Sequence, residues 1–252
     1  MAILTPDERE RYDRQIMIKG LGEAGQKKLK RARVFIAGAG GLGSAVSLYL
    51  AAAGVGTIRI ADHDNVELSN LNRQVSHWDE DIGQPKVSSA ATKLSQLNPN
   101  IKIETNEITI TEANIAQLVA NFDLIIDALD NLPTRYLLNK AAIEKNIPLF
   151  HGAINGFEGR AMTVIPGKTA CLACVYHGAM PEGKFPVIGV TPAIIGCIQA
   201  TEVIKYITGL GELLINRLLV YDGLSMKFTE FKVRKDPRCR YCSHLTSEGK
   251  AD

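Results

Sequence analysis

The chain has 252 residues, 22% of them charged, and a formal net charge of +2. That length supports one large domain or two small ones with a sizeable core, and the balanced charge gives no global case for nucleic acid or a membrane surface as partner. The N-terminus is acidic with no apolar leader, no apolar run reaches a bilayer span, and five cysteines in such a chain point to metal, catalysis or core rather than disulfides. The expectation is a cytoplasmic protein.

Thr5-Pro6-Asp7-Glu8 has the form of a helix start, with a Thr cap, Pro at the first position and Glu three after the cap. Arg11 and Arg14 follow in RYDRQI and taken alone read as surface charges. The basic run Lys27 to Arg33 reads as a solvated helix face. Val34 to Ala37 is a short apolar strand, followed by Gly38, Gly40 and Gly43 in G-x-G-x-x-G spacing with an additional Gly41, and an Ala-rich helix over Ser44 to Ala53. Strand, glycine turn and helix is the setting in which backbone amides at a helix start receive a phosphate. A second strand, Ile58 to Ala61, ends at Asp62, where an acid that binds a ribose belongs. The competing reading is a tight glycine turn with no ligand.

Asp64 to Gln84 is long and polar for a connection and carries Asn70, Asn72, Arg73 and Gln74; its leucines, valines and Trp78 argue against disorder. Gln84-Pro85-Lys86 opens a helix that Asn98-Pro99 stops. Lys86 in the first turn opposes the helix dipole, a penalty an anionic ligand reverses and an exposed lysine tolerates. Ile101 to Glu104 and Asp123 to Asp127 read as strands, the second delivering its acids to the ligand edge. Asp130 and Asn131 then precede a helix over Leu132 to Lys145; one of them is an N-cap, or an Asp holds Mg2+ on nucleotide phosphates. Pro148 to Phe150 is a further strand.

Alternating strands and helices to this point imply a Rossmann-like doubly wound α/β sheet, parallel in its N-terminal part. After Gly156, strands over Arg160 to Ile165, Arg217 to Tyr221 and Lys227 to Lys232 imply an antiparallel C-terminal extension, with an apolar helix from Thr191 to Ile207 stopped by Gly209. The organisation expected is a single domain over 1–252: N-terminal helices over 1–32, a nucleotide-binding half over 33–150, and a carrier-binding and zinc half over 151–243. Cys171 and Cys174 form one C-x-x-C, Cys239 and Cys242 a second. Four thiolates are the ligand set of a closed, structural Zn2+ site; a redox pair, unrelated core thiols, or His244 in place of one cysteine are the alternatives. Cys197, inside the apolar helix, reads as a core residue.

The pieces RYDRQI, GAGGLG, ADHDNVELSNLNRQ, IGQPK, DALDN, the two C-x-x-C pairs and IGCIQATEVIK together resemble the MoeB/ThiF/HesA adenylyltransferases, relatives of the ubiquitin-activating enzymes, over about residues 8 to 243. Within that group the chain looks closest to the molybdopterin-synthase adenylyltransferases. The resemblance implies ATP-dependent adenylation of the C-terminal Gly-Gly carboxylate of a ubiquitin-fold sulfur carrier, for molybdopterin or thiamine synthesis, tRNA thiolation or an amino-acid sulfur pathway. It places Gly38, Gly40, Gly41, Gly43, Asp62, Asp64 and Asn70 around ATP, with Asp62 on the ribose. Arg73 and Lys86 fall on the phosphates, and Asp130 on Mg2+ with Asn131 beside it. Arg14 falls on the ATP of the neighbouring subunit, which implies a homodimer.

Some relatives carry a cysteine in the crossover segment, here Val175 to Val190. GKFPVIGV has none, and Phe185 stands at about that position. The expectation is adenylation without a covalent carrier adduct, with sulfur from a separate donor such as a cysteine desulfurase or rhodanese. A nicotinamide-dependent (NAD) oxidoreductase and a non-catalytic zinc-stabilised binding module are the competing readings; the first leaves Arg73, Lys86 and Asp130 unexplained.

Overall fold

A computed structural model describes residues 3–176 and 185–245. Three helices open the chain, α1 (Pro6–Arg11), α2 (Asp13–Ile16) and α3 (Gly22–Arg31). The Thr5 hydroxyl accepts from the Glu8 amide and the Glu8 carboxylate accepts from the Thr5 amide, the reciprocal cap the sequence implies. The basic face of α3 is tied down as well as solvated: Lys30 pairs with the buried Glu8, and Lys28 donates to the Thr208 carbonyl.

The parallel part contains β1 (Arg33–Ala37), α4 (Gly41–Ala53), β2 (Thr57–Asp62), α5 (Lys86–Leu97), β3 (Lys102–Glu107), α6 (Ile115–Leu118), β4 (Leu124–Asp127), α7 (Leu132–Lys145) and β5 (Leu149–Asn155). After it come β6 (Glu158–Val164), α8 (Leu172–Val175), α9 (Val190–Thr208), β7 (Arg217–Asp222) and β8 (Lys227–Lys232). One eight-stranded sheet runs β3-β2-β1-β4-β5-β6-β7-β8. Its first five strands are parallel and β5 to β8 antiparallel, as the change of pattern near Gly156 implies. Strand order reverses between β1 and β4, and in such a sheet ligands bind outside the carboxyl ends at that point.

Alternation along β1 divides the core. Val34 and Ile36 face α4, α5 and α9, while Phe35 and Ala37 face α6, α7, α8 and the four cysteines. Among the described residues no helix is long and apolar enough to cross a membrane.

One expectation changes in detail. The glycine-turn helix starts at Gly41 rather than Ser44, because Gly40 is already its N-cap. Pro85 is the N-cap of α5, and Lys86 its first residue, as the Gln84-Pro85-Lys86 helix opening implies. The turn itself needs glycine: Gly38 has φ +102°, and a Cβ on Gly43 would lie 2.1 Å from the Gly38 carbonyl oxygen. Gly43→Ala is expected to force α4 away from β1 and cost about 3 kcal/mol of stability, read from urea unfolding; a loss below about 1 kcal/mol would show that the helix start yields.

Candidate nucleotide site and cysteine cluster

The glycine turn is fastened to the end of β2 by a carboxylate. Asp62 Oδ2 accepts from the Ala39 amide at 2.7 Å, and Oδ1 accepts from the Asp64 amide at 2.9 Å. Each oxygen keeps a lone pair, and the side chain remains partly exposed, so it can still accept a ribose hydroxyl. Gly41 sits between α9 and the polar loop: a Cβ there would lie 3.0 Å from Pro192 and 3.3 Å from the Arg73 carbonyl. The first turn of α4 thus presents backbone amides between two walls.

Lys86 is not the exposed lysine that a small dipole penalty would permit. It is 6% exposed at the first position of α5, and its Nζ lies 2.8 Å from Asp64 Oδ2, whose side chain is 51% exposed. A buried cation at the positive end of a helix is offset here by one half-solvated carboxylate, an arrangement that favours an added anion. Arg73 points from the same loop, its Nη1 donating to the Ser69 carbonyl at 2.8 Å. Asn70 is buried and its Oδ1 accepts from the Glu67 amide, so it shapes the loop. Across the strand-order reversal, Asn131 is the N-cap of α7, its Oδ1 accepting from the Thr134 amide at 3.0 Å. Asp130 beside it is exposed. Arg14 is exposed on α2. Of the crossover segment, 177–184 lie outside the described residues; Phe185 is partly buried.

In the loop from Asp64 to Gln84, Val66 is buried and Leu71 half-buried, as its apolar residues suggest. Leu68, Val75 and Trp78 are more than half exposed. Polar side chains fill much of the interior beside Val66: Asn70, Gln74, Ser76, His77 and Asp81 are buried. Asp81 pairs with Lys93 of α5, and the ammonium lies 4.7 Å from the centre of the Trp78 ring. His77 was not singled out by any motif. Its Nε2 lies 3.0 Å from the Ala39 carbonyl of the glycine turn and its Nδ1 2.8 Å from Ser89 Oγ of α5. The carbonyl only accepts, so Nε2 carries the proton and Nδ1 accepts from the serine. One imidazole thereby joins the glycine turn, the polar loop and the helix that bears Lys86. Asp127 also differs from expectation: it is fully buried and bonded to His151, so it does not empty onto the ligand edge.

The four cysteines converge. Cys171 and Cys174 flank the start and body of α8, and Cys239 and Cys242 reach them from the C-terminal segment. Sulfur separations are 3.9 Å (171–174), 3.6 Å (171–239) and 3.5 Å (174–242). A tetrahedron with metal–sulfur bonds of about 2.3 Å has edges of about 3.8 Å, so the donor set fits a tetrahedral metal with no open position. Burial and the neighbouring Cys174 push the Cys171 thiol up to about 11. The Asp236 amide donates to Cys174 Sγ at 3.4 Å, a bond that favours thiolate. Cys197 on α9 is only partly buried, not a full core residue.

Burial lowers the proton affinity of both His77 and His151 below the ordinary histidine value. An unfolded chain therefore binds protons below about pH 6.5 that the folded one refuses, and stability falls as pH falls through that range. Each histidine contributes a slope of up to about 1.4 kcal/mol per pH unit. Urea unfolding at pH 7 and 5.5 should show this, with a shallower slope in His77→Gln; an unchanged slope in that variant would contradict a buried neutral His77.

The ThiF family matches residues 12–241. The chain is 44% identical to the SAMP-activating enzyme E1 of Haloferax volcanii, covering 95% of this chain and 90% of that one. It is 41% identical to the sulfur carrier protein adenylyltransferase of Thermus thermophilus, covering 94% and 92%. With the probable adenylyltransferase/sulfurtransferase MoeZ of Mycobacterium tuberculosis it shares 43% identity over 93% of this chain and 62% of the longer relative. Among solved structures, E. coli MccB with MccA-N7isoASN superposes with a TM-score of 0.85 at 25% identity, covering 94% of this chain and 75% of that one. PaaA gives 0.82 at 27% identity, covering 94% and 76%. Sheet order, glycine turn and cysteine cluster agree with the sequence comparison: the chain belongs to the ThiF family.

Proposed function

We propose that this protein adenylates the C-terminal Gly-Gly carboxylate of a ubiquitin-fold sulfur carrier with ATP, releasing pyrophosphate. The observation that carries the reading is Lys86, a buried ammonium at a helix start beside the glycine turn and Asp62. A dinucleotide's diphosphate carries two negative charges that the glycine-turn amides can meet, whereas a triphosphate carries more and gives Lys86 and Arg73 together an anion to neutralise. The names of the Haloferax and Thermus relatives support the reaction and the class of acceptor.

The residues divide the work. The amides after Gly38 to Gly43 and the Asp62 carboxylate hold the phosphates and ribose. Lys86 exchanges Asp64 for the triphosphate, and Arg73 approaches the same anion from the polar loop. Arg14 of the second subunit of a homodimer completes the cationic wall. Asp130, exposed at the carboxyl end of β4 with Asn131 fixing the helix start behind it, would hold Mg2+, which supplies charge neutralisation for the departing pyrophosphate. A carboxylate nucleophile is ionised at pH 7, so no general base is required. Repulsion between the incoming carboxylate and the α-phosphate is the barrier, and fixed cations lower it. Cys171, Cys174, Cys239 and Cys242 would hold Zn2+, which would tie the C-terminal segment to α8 and take no part in the chemistry.

ATP–pyrophosphate exchange tests the reading with purified protein, Mg2+ and carriers ending in Gly-Gly. Exchange should require one carrier and its terminal glycine, and Lys86→Met or Asp130→Asn should lower it by about 10²- to 10³-fold. Exchange that ignores the carrier's terminus, or survives Lys86→Met, would overturn it. Removing the metal from the cysteine cluster with a chelator should lower the melting temperature while ATP still binds to the protein that remains folded; unchanged melting would mean the cluster holds no structural metal.

A further inference from the structure

The parallel register sets Asp127 of β4 beside His151 of β5, both fully buried. His151 Nδ1 lies 2.6 Å from Asp127 Oδ2, and its Nε2 lies 3.0 Å from the Tyr176 hydroxyl. Burial raises the Asp127 carboxyl, but the Arg135 guanidinium 3.5 Å away and the His151 bond outweigh it and keep the group ionised. An ionised carboxylate only accepts. Nδ1 therefore donates to Asp127, and Nε2 accepts from Tyr176, which gives the chain of bonds one direction.

One end of this chain reaches the turn before Asp130, the other the segment that follows the first cysteine pair. Asp127 Oδ1 accepts from the Leu129 amide at 3.1 Å, and Arg135 Nη2 donates to the Leu129 carbonyl and, at 3.0 Å, to the Gly152 carbonyl. Leu129 is thus held at both its backbone groups, and Asp130 is the next residue. At the other end Tyr176 follows α8, two residues after Cys174, and its carbonyl accepts from Tyr136 of α7 at 2.7 Å. Gln199 of α9 also donates to the Asp127 carbonyl at 2.8 Å. A buried ionic group of this kind costs desolvation that apolar side chains would avoid, so stability alone does not account for it.

We propose that His151 is a positioning residue for the Mg2+ end of the nucleotide site, the Tyr176–His151–Asp127 chain fixing the turn that presents Asp130 from a base anchored beside the cysteine cluster. The inference rests on the adenylation reading for the role of Asp130. It acts through Asp127 and Leu129, and His151 itself touches no reactant.

The test measures ATP binding by calorimetry across a Mg2+ series, without carrier, for the full chain. Three variants separate the bonds. Tyr176→Phe removes one hydroxyl; His151→Asn keeps a donor for Asp127 but cannot reach Tyr176; His151→Phe removes both bonds. His151→Phe should raise the Mg2+ concentration for half-saturation by about tenfold or more, the scale of supporting contacts to a metal ligand. Tyr176→Phe and His151→Asn should each raise it by a smaller, equal factor, and their double variant no further. ATP affinity without Mg2+ should stay within twofold. Half-saturation within twofold of wild type in all three variants, or an effect of equal size with and without Mg2+, would overturn the inference. Tyr176→Phe loses only an oxygen atom, so it keeps the test open if His151→Phe fails to fold. Wild-type protein that binds MgATP yet supports no exchange with any carrier would refute the carrier reading while leaving this result to stand on its own; failure to bind MgATP would overturn both.

Discussion

Lys86 is a cation taken out of water and set at the positive end of α5, with the half-exposed Asp64 carboxylate 2.8 Å away. Neither burial nor the helix dipole favours a charge there. The surroundings make sense of it. The glycine turn brings backbone amides to the same edge, Asp62 locks that turn to β2, and His77 braces the turn against α5 from beneath. The turn amides and Lys86 are thereby held at one edge of the sheet, at the point where strand order reverses. A polyanion is the ligand that suits this electrostatic arrangement.

The antiparallel strands and the cysteine cluster serve the other half of the molecule. After β5 the sheet continues outward without crossover helices, which leaves α9 packed on α4 and the C-terminal segment free to return to α8. Four sulfurs spaced for a tetrahedral ion make that return a fixed link rather than a loose end.

Much of this was legible in the residues. The glycine spacing, the apolar strands and their acids, the caps at Thr5 and Asn131, and the doubled C-x-x-C all act over a few residues, where periodicity and turn chemistry speak directly. What stayed hidden depends on register and on distance along the chain. His151 meets Asp127 because β4 and β5 are parallel neighbours at that pair, a fact no local pattern carries. His77 bonds residues 38 and 12 positions away, and its own flanking sequence gives no helix or strand period. The polar loop was legible as ordered, and Val66 is buried as an apolar anchor, but its buried polar interior, whose partners lie on α5 and in the glycine turn, has no local signal. The crossover segment was read only from resemblance, and 177–184 lie outside the described residues.

The most direct measurement follows oxygen rather than rate. A carrier whose C-terminal glycine carboxylate is labelled with heavy oxygen is incubated with enzyme, Mg2+ and ATP, and the product is cleaved with hydroxylamine, which attacks the acyl carbon. If the carboxylate attacks the α-phosphorus, one labelled oxygen bridges to phosphorus and leaves with AMP, while pyrophosphate carries none. Label in inorganic phosphate with ADP as the nucleotide product, or AMP without label, would contradict adenylation of that carboxylate.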